Sequence, residues 1–210
     1  MAVRGGGVYF PVYYGLDVAG VALLAFAAGF KAQRQGLPMA GAVVLAALVG
    51  VCGVLVRDVL LSFGTVAPLH DAWYAASACI GGTLGALCAL VGLREGRNPL
   101  LPVAFYMDCW GLGLCAAMAA SRSLVVGMPP VGCLLLGTLA GLLPGVLRDV
   151  CLGDVPQAFA QQFYAVAGVI AAMVALAVGL AGMDGGVQVL AAAFAAVFLR
   201  ILGARAEREY

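Results

Sequence analysis

Seven apolar runs of 17 to 25 residues follow one another with little between them: 8–30, 39–63, 72–93, 101–120, 128–152, 158–180 and 186–202. That feature decides the class of fold. About 20 apolar residues make a helix long enough to cross the hydrocarbon of a bilayer. The runs are continuous and do not alternate, which argues against a barrel. Composition agrees: 64% of the 210 residues are hydrophobic and 10% charged. A soluble fold of this size would leave large apolar patches exposed. The breaks fall at Gly36-Leu37-Pro38, at Arg94, Glu95 and Arg97 before Asn98-Pro99, at Gly127, and at a charged tail, 204–210. The expectation is an all-α polytopic membrane protein: seven transmembrane helices in a single membrane domain over 1–210. The first run is too long for a signal-peptide core, and equally apolar runs follow it, so it is read as a span.

Charge and chemistry exclude other classes. With 11 basic and 10 acidic residues the net charge is +1, so there is no basic field for nucleic acid. The seven cysteines (Cys52, Cys79, Cys88, Cys109, Cys115, Cys133, Cys151) lie within apolar runs and form no C-x-x-C pair. They read as small buried hydrophobes. The one histidine, His70, has no second ligand at a useful spacing and is read, with Asp71, as interfacial. Tyr9, Tyr13, Tyr14, Trp73 and Trp110 read as a belt at the membrane surfaces. No nucleophile motif is present, so an enzyme is not expected. Nor is any cofactor or metal beyond permeant ions and bound lipid. The expected partner is the lipid bilayer, and no soluble protein partner is argued.

Basic residues in short loops mark the cytoplasmic side. The side of the C-terminus carries Lys31, Arg34, Arg94, Arg97, Arg200, Arg205 and Arg208; the other carries Arg4 and Arg122. Seven against two predicts a cytoplasmic C-terminus and an external N-terminus.

The chain also repeats itself at an offset of 91, with 17 identities in the 51 positions that align 11–61 with 102–152. The matches include Asp17 with Asp108, Gly36-x-Pro38 with Gly127-x-Pro129, Gly50 with Gly141, and Arg57-Asp58 with Arg148-Asp149. Low complexity explains matched Leu, Val and Ala, but not matched intramembrane acids and Arg-Asp pairs. Each copy holds three spans, 8–93 and 101–180, and an odd number inverts the second copy. Such inverted repeats carry their sites near the midplane between the halves. The seventh helix, 186–203, has no counterpart and reads as an added packing or assembly helix.

Intramembrane charges are costly and are functional candidates by default. Asp17, Arg57, Asp58, Asp108, Arg148 and Asp149 are therefore expected to turn inward around one polar path, with Arg122 at a span end able to join it or to snorkel. The competing reading is that each Asp pairs with an Arg only to lock helices. Just before each Arg-Asp lie helix-loosening residues: Gly50 and Gly53 in the second span, Gly141, Pro144 and Gly145 in the fifth. They are expected to kink their helices, and backbone groups freed there must line a wet cavity or be covered by protein. Glycines at four-residue spacing (Gly137, Gly141 and Gly145; Gly81 and Gly85) also serve close packing.

Two Gly-rich segments ending in Arg-Asp, in three-span repeats followed by a seventh span, resemble the prokaryotic trimeric intracellular cation channels. The stretch Arg148-Asp149-Val150-Cys151-Leu152-Gly153-Asp154-Val155-Pro156 is especially similar to that family's second-repeat motif. The resemblance implies a homotrimer with one pore inside each protomer, between the repeats, passing potassium and sodium with little discrimination. Related bacterial proteins carry a glycine-transporter label, so a small-solute carrier, most of all for glycine, is the alternative. One departure stands out. Where the family has three consecutive glycines, this chain has Cys52-Gly53-Val54 and Leu143-Pro144-Gly145.

Overall fold

The computed structural model describes residues 9–61, 66–94 and 100–206. Among them the chain forms only helices: α1 (Tyr9–Arg34), α2 (Met39–Leu61), α3 (Ala67–His70), α4 (Ala72–Arg94), α5 (Leu101–Val125), α6 (Pro130–Cys151), α7 (Gln157–Ala160), α8 (Gln162–Leu180) and α9 (Gly185–Ala206). Seven of these, all but α3 and α7, are long and apolar enough to cross a membrane. Residues such as Val44, Ile80, Leu135 and Phe198 are left exposed on the outer faces, an arrangement suited to lipid.

The order α1–α4 recurs as α5–α8. Both α1 and α5 end at a glycine with positive φ, Gly36 at 85° and Gly127 at 82°, followed two residues on by Pro38 or Pro129. The glycine supplies the left-handed residue that ends a helix, and the proline sets the next start. After α2 and α6 comes a single helical turn, α3 or α7, then an extended residue, Asp71 or Gln161, then the third long helix. The expected span 158–180 is therefore broken at Gln161. The turn is capped from the preceding helix. Asp58 Oδ2 accepts from the Ala67 N–H at 2.9 Å, and Asp149 Oδ2 from the Gln157 N–H at 2.9 Å. One residue fewer separates acid from turn in the second copy, so the offset falls from 91 to 90 beyond it.

α5 is the central span: 72% of its most apolar 18-residue stretch is buried, against 33–44% for the other six. It packs against α1, α6, α8 and α9. Within the first copy, α4 lies tight on α1, with Gly81 and Gly85 against the backbone of Ala22 and Phe26. The second copy has Ala171 and Ala175 at those places, and α9 packs against both α5 and α8. There Gly113 meets Ala193 and Ala196.

Two expectations change. The helices α1 and α5 run past 30 and 120, so Lys31 and Arg122 lie in helices and not in loops. Trp110 is not a belt residue: it packs edge-on to Phe194 of α9 with ring centroids 4.8 Å apart. Trp73, 67% exposed at the start of α4, does suit the membrane surface. Arg4, Glu95, Arg97, Asn98, Pro99 and Arg208 lie outside the described residues, as do the side chains of Tyr9 and Arg94.

Candidate functional site

The spacing of acid and arginine, the same in both copies, builds the same ion pair twice. Arg57 on α2 reaches back to Asp17 on α1, with Nη1 donating to Oδ1 at 2.6 Å and Nη2 to Oδ2 at 2.9 Å. Arg148 on α6 reaches Asp108 on α5, Nη1 to Oδ1 at 2.5 Å. Each guanidinium is also held by its chain neighbour: Arg57 Nε donates to Asp58 Oδ1 and Arg148 Nε to Asp149 Oδ1, both at 2.8 Å. The second acid of each Arg-Asp motif thus orients its arginine with one oxygen and caps the following turn with the other. All six residues are buried. A charge left alone at that depth is expensive, and here each one has a partner of opposite sign.

Both clusters recruit a cation from the other repeat. Arg122 Nη2 of α5 donates to Asp17 Oδ2 at 3.1 Å. Lys31 Nζ of α1 lies 2.9 Å from Asp149 Oδ1 and 2.6 Å from Asp154 Oδ2. Lys31 and Arg122 align at the same offset of 91, a match of charge that identity counting does not register because one is Lys and the other Arg. Fourteen residues separate Asp17 from Lys31, and Asp108 from Arg122. In the antiparallel register that packs Gly20 on Leu114 and Gly111 on Leu24, roughly 1.5 Å per residue sets Asp17 and Asp108 about 14 Å apart along the helices, one toward each face.

Beyond this the copies diverge. Tyr74 of α4 donates to Asp17 Oδ2 at 2.9 Å. Its counterpart Tyr164 of α8 is fully buried, and its hydroxyl has no partner among the described residues. The place it would take on Asp108 Oδ2 is held by Arg200 Nη2 of α9, at 3.4 Å. Arg200 is 4% exposed, with Nη1 on Gln161 Oε1 at 2.9 Å and its Cζ 4.3 Å above the Tyr164 ring. Arg200, counted among the loop charges from sequence, is buried and joins the Asp108 cluster from the unduplicated helix. Beside it opens a cavity of about 850 Å³ among α1, α5, α6 and α9.

Between the clusters α2 crosses α6 at small residues, and both helices are unbroken through them. Pro144 has no N–H to give the carbonyl of Ala140, four residues back. That carbonyl lies against Gly53: a Cβ there would stand 2.6 Å from Ala140 O and 3.2 Å from Pro144 Cγ. The freed carbonyl is thus covered by protein, and only glycine permits the approach. Gly50 sits against Val21 O and Ala25, Gly141 against Ala116, and Gly145 against the Tyr164 hydroxyl. These glycines serve close packing.

At the two ends lie smaller contacts. Tyr14 donates to Asp71 Oδ2 at 2.6 Å, which with the Trp73 N–H holds the Asp71 carboxyl below its ordinary range. The hydrogen bond from Lys31 does the same for Asp154. No group of three or more metal-ligating side chains occurs among the described residues.

Comparison with known proteins fits this geometry. The family model described as Glycine transporter matches residues 14–90 and again 105–180, segments whose starts differ by 91 and ends by 90. A UPF0126 membrane protein of Deinococcus radiodurans is 32% identical over 155 residues, covering 72% of this chain and 69% of the relative. The UPF0126 inner membrane protein YadS of Escherichia coli K12 is 26% identical over 164 residues, covering 77% and 76%. Among solved structures, a prokaryotic TRIC channel crystallised in 0.5 M KCl superposes with a TM-score of 0.84 at 20% identity, over 94% of this chain and 98% of that one. The TRIC trimeric intracellular cation channel orthologue from Rhodobacter sphaeroides gives 0.80 at 26% identity, over 91% and 96%. By both sequence and fold, the chain belongs to the Glycine transporter family and is a multi-pass membrane protein built like the prokaryotic TRIC channels.

Proposed function

We propose that this chain is a channel for potassium and sodium, with one pore inside each protomer of a homotrimer and the pore lying between the two repeats. The observation that carries the reading is the pair of buried charge clusters, each closed by a cation from the opposite repeat. Buried charge on both sides of the waist of an otherwise apolar body is what a permeation path needs. Asp17 and Asp108 offset the arginines they pair with, and Arg57, Arg122 and Arg148 oppose dense cation occupancy, which favours weak selectivity over a tight filter. The resemblance to structures titled as cation channels supports the same reading.

Membership of the cell inner (plasma) membrane follows the naming of YadS. For orientation, Lys31, Arg122 and Arg200 drop out as helix-borne ion-pair residues. Arg34, Arg94, Arg97, Arg205 and Arg208 remain against Arg4, five to one. The C-terminus is therefore assigned to the cytoplasm and the N-terminus to the outside.

The test is purified protein in a planar bilayer under a potassium gradient, with labelled glycine uptake into liposomes run in parallel. Discrete unitary currents that persist without glycine are expected. Saturable glycine uptake without unitary currents would replace the channel with a glycine carrier, and crosslinking in native membranes that stops at dimer would remove the trimer.

A further inference from the structure

The net charge of +1 hides a division between the two ends of the molecule. At the end where α1 starts, Asp17 and Asp58 balance Arg57 and Arg122. Two further acids lie there: Asp71, held by Tyr14, and Asp184, whose neighbour Gly185 packs against the Tyr13 hydroxyl. Arg4, ahead of α1 in the chain, offsets one of them. At the opposite end Asp108, Asp149 and Asp154 meet Lys31, Arg148 and Arg200. Arg34 and Arg205 stand in excess of these. The other charges that the sequence puts on this side cancel, Glu95, Glu207 and Glu209 against Arg94, Arg97 and Arg208. One end is therefore slightly negative and the other clearly positive.

The positive excess sits at a mouth and not on the lipid-facing wall. Arg34 is the last residue of α1, and Arg205 lies in the last turn of α9; both are exposed. Both line the cavity of about 850 Å³ that reaches inward to Asp108 and Arg148. The same wall holds the C-terminal ends of α1 and α9 and the N-terminal end of α5. Their dipoles sum to about half a negative charge, too little to cancel two arginines.

We infer that Arg34 and Arg205 make the channel rectify, so that potassium enters less readily from the C-terminal side than from the N-terminal side. This rests on the channel reading. A positive mouth depletes cations in the water at its rim, and a slightly negative one at the far end collects them. The buried ion pairs add little, because opposite charges within a few ångströms cancel at a distance. With the excess charge roughly 10 Å from the path, repulsion through water lowers the rim concentration of potassium about two- to threefold at about 10 mM salt, where the screening length is about 30 Å. At about 1 M salt that length is about 3 Å and the factor approaches one. With the C-terminus in the cytoplasm, potassium passes into the cell more easily than out of it.

The test is unitary current of the full-length protein in inside-out patches of giant bacterial spheroplasts. Patches from empty-vector cells are the control, and antibody access to a C-terminal tag locates that end. In symmetric KCl at about 10 mM, and at equal voltages of opposite sign, current entering from the C-terminal side should be smaller by about two- to threefold. At about 1 M the ratio should approach one. The double change Arg34→Gln and Arg205→Gln, at exposed helix ends and away from the buried ion pairs, should bring the low-salt ratio close to one. Arg34→Glu with Arg205→Glu should reverse it. Unitary currents that are symmetric at low salt, or asymmetric in the opposite sense, would overturn the inference and leave the channel standing. So would an asymmetry that persists at high salt or in the Gln double variant. Absence of unitary currents beyond the control would remove the channel reading, and this inference with it.

Discussion

Asp17 and Asp108 hold equivalent places in the two repeats, yet Asp17 receives four hydrogen bonds and Asp108 two. The first cluster is closed, with both arginine Nη atoms, a tyrosine and a cation from the other repeat all on one carboxylate. The second is opened by α9, whose Arg200 takes the place of the tyrosine and leaves spare donors next to a cavity. Duplication supplied the charges, and the one unduplicated helix decides how they are used. An ion pair that locks helices and one that lines a polar space can therefore grow from the same motif. The two readings of these charges need not exclude each other.

The sharpest way to break this comparison is to neutralise each acid. Asp17→Asn leaves Arg57 and Arg122 facing an amide, with Arg57 almost fully buried. Removing one member of a buried pair typically costs about 3–5 kcal/mol. Asp108→Asn should cost less, about 1–3 kcal/mol, because Asp108 accepts two hydrogen bonds where Asp17 accepts four, and Arg200 keeps Gln161. Thermal unfolding of the two variants in detergent measures the order. Equal losses would mean that both clusters are structural locks of one kind.

The tyrosines sharpen the same contrast. Tyr74→Phe removes a hydrogen bond to a buried carboxylate and should cost about 1.5–3 kcal/mol. Tyr164→Phe removes a buried hydroxyl that has no partner, so it should be neutral or stabilise by up to about 1 kcal/mol. A loss at Tyr164 as large as at Tyr74 would reveal an acceptor there and close the second cluster after all.

The waist between the clusters is the next target. Gly53→Ala drives a methyl into the Ala140 carbonyl, backbone that cannot swing away, and should cost about 1–3 kcal/mol. Gly15→Ala is the control, since its Cβ meets nothing within 4 Å and the change should help α1 by up to about 1 kcal/mol. Unfolding midpoints of both variants read the difference. A Gly53→Ala protein as stable as the parent would show that α2 and α6 can part here without penalty.

Much of this was legible in the chain. The apolar runs located all seven long helices, because in lipid a continuous apolar stretch has few structures open to it. The aligned Asp, Arg and Asp positions located both clusters, because buried charges are rare enough to be informative. Three things were hidden. Lys31 and Arg122 sit where span-end loop charges are expected, and only the longer helices show them crossing to the other repeat. Tyr74 and Tyr164 align only once the offset falls to 90, after a one-residue deletion in a loop. Arg200 has no aligned partner at all, and its burial depends on how α9 packs on α5 and α8, which local sequence does not encode.

The smallest effect concerns the two ends of the molecule. Asp154 is held below the ordinary carboxylate range chiefly by the hydrogen bond from Lys31, whereas Asp71 is held there by the Tyr14 hydroxyl and the Trp73 N–H. A carboxyl with a depressed folded value contributes stability above its unfolded value, near about 4, and loses it as pH falls through the folded one. Asp154→Asn should therefore lower the unfolding midpoint slightly at neutral pH, with the difference shrinking as pH falls below about 4. Salt separates the ends. The Lys31–Asp154 pair is partly exposed and is screened, so its contribution should fade at about 1 M salt, while that of Tyr14–Asp71, a hydrogen bond from a neutral donor, should persist. Unfolding midpoints of Asp154→Asn and Tyr14→Phe at low and high salt make the comparison. An equal salt response in both would mean that the Lys31 bridge between the repeats adds no ionic term of its own.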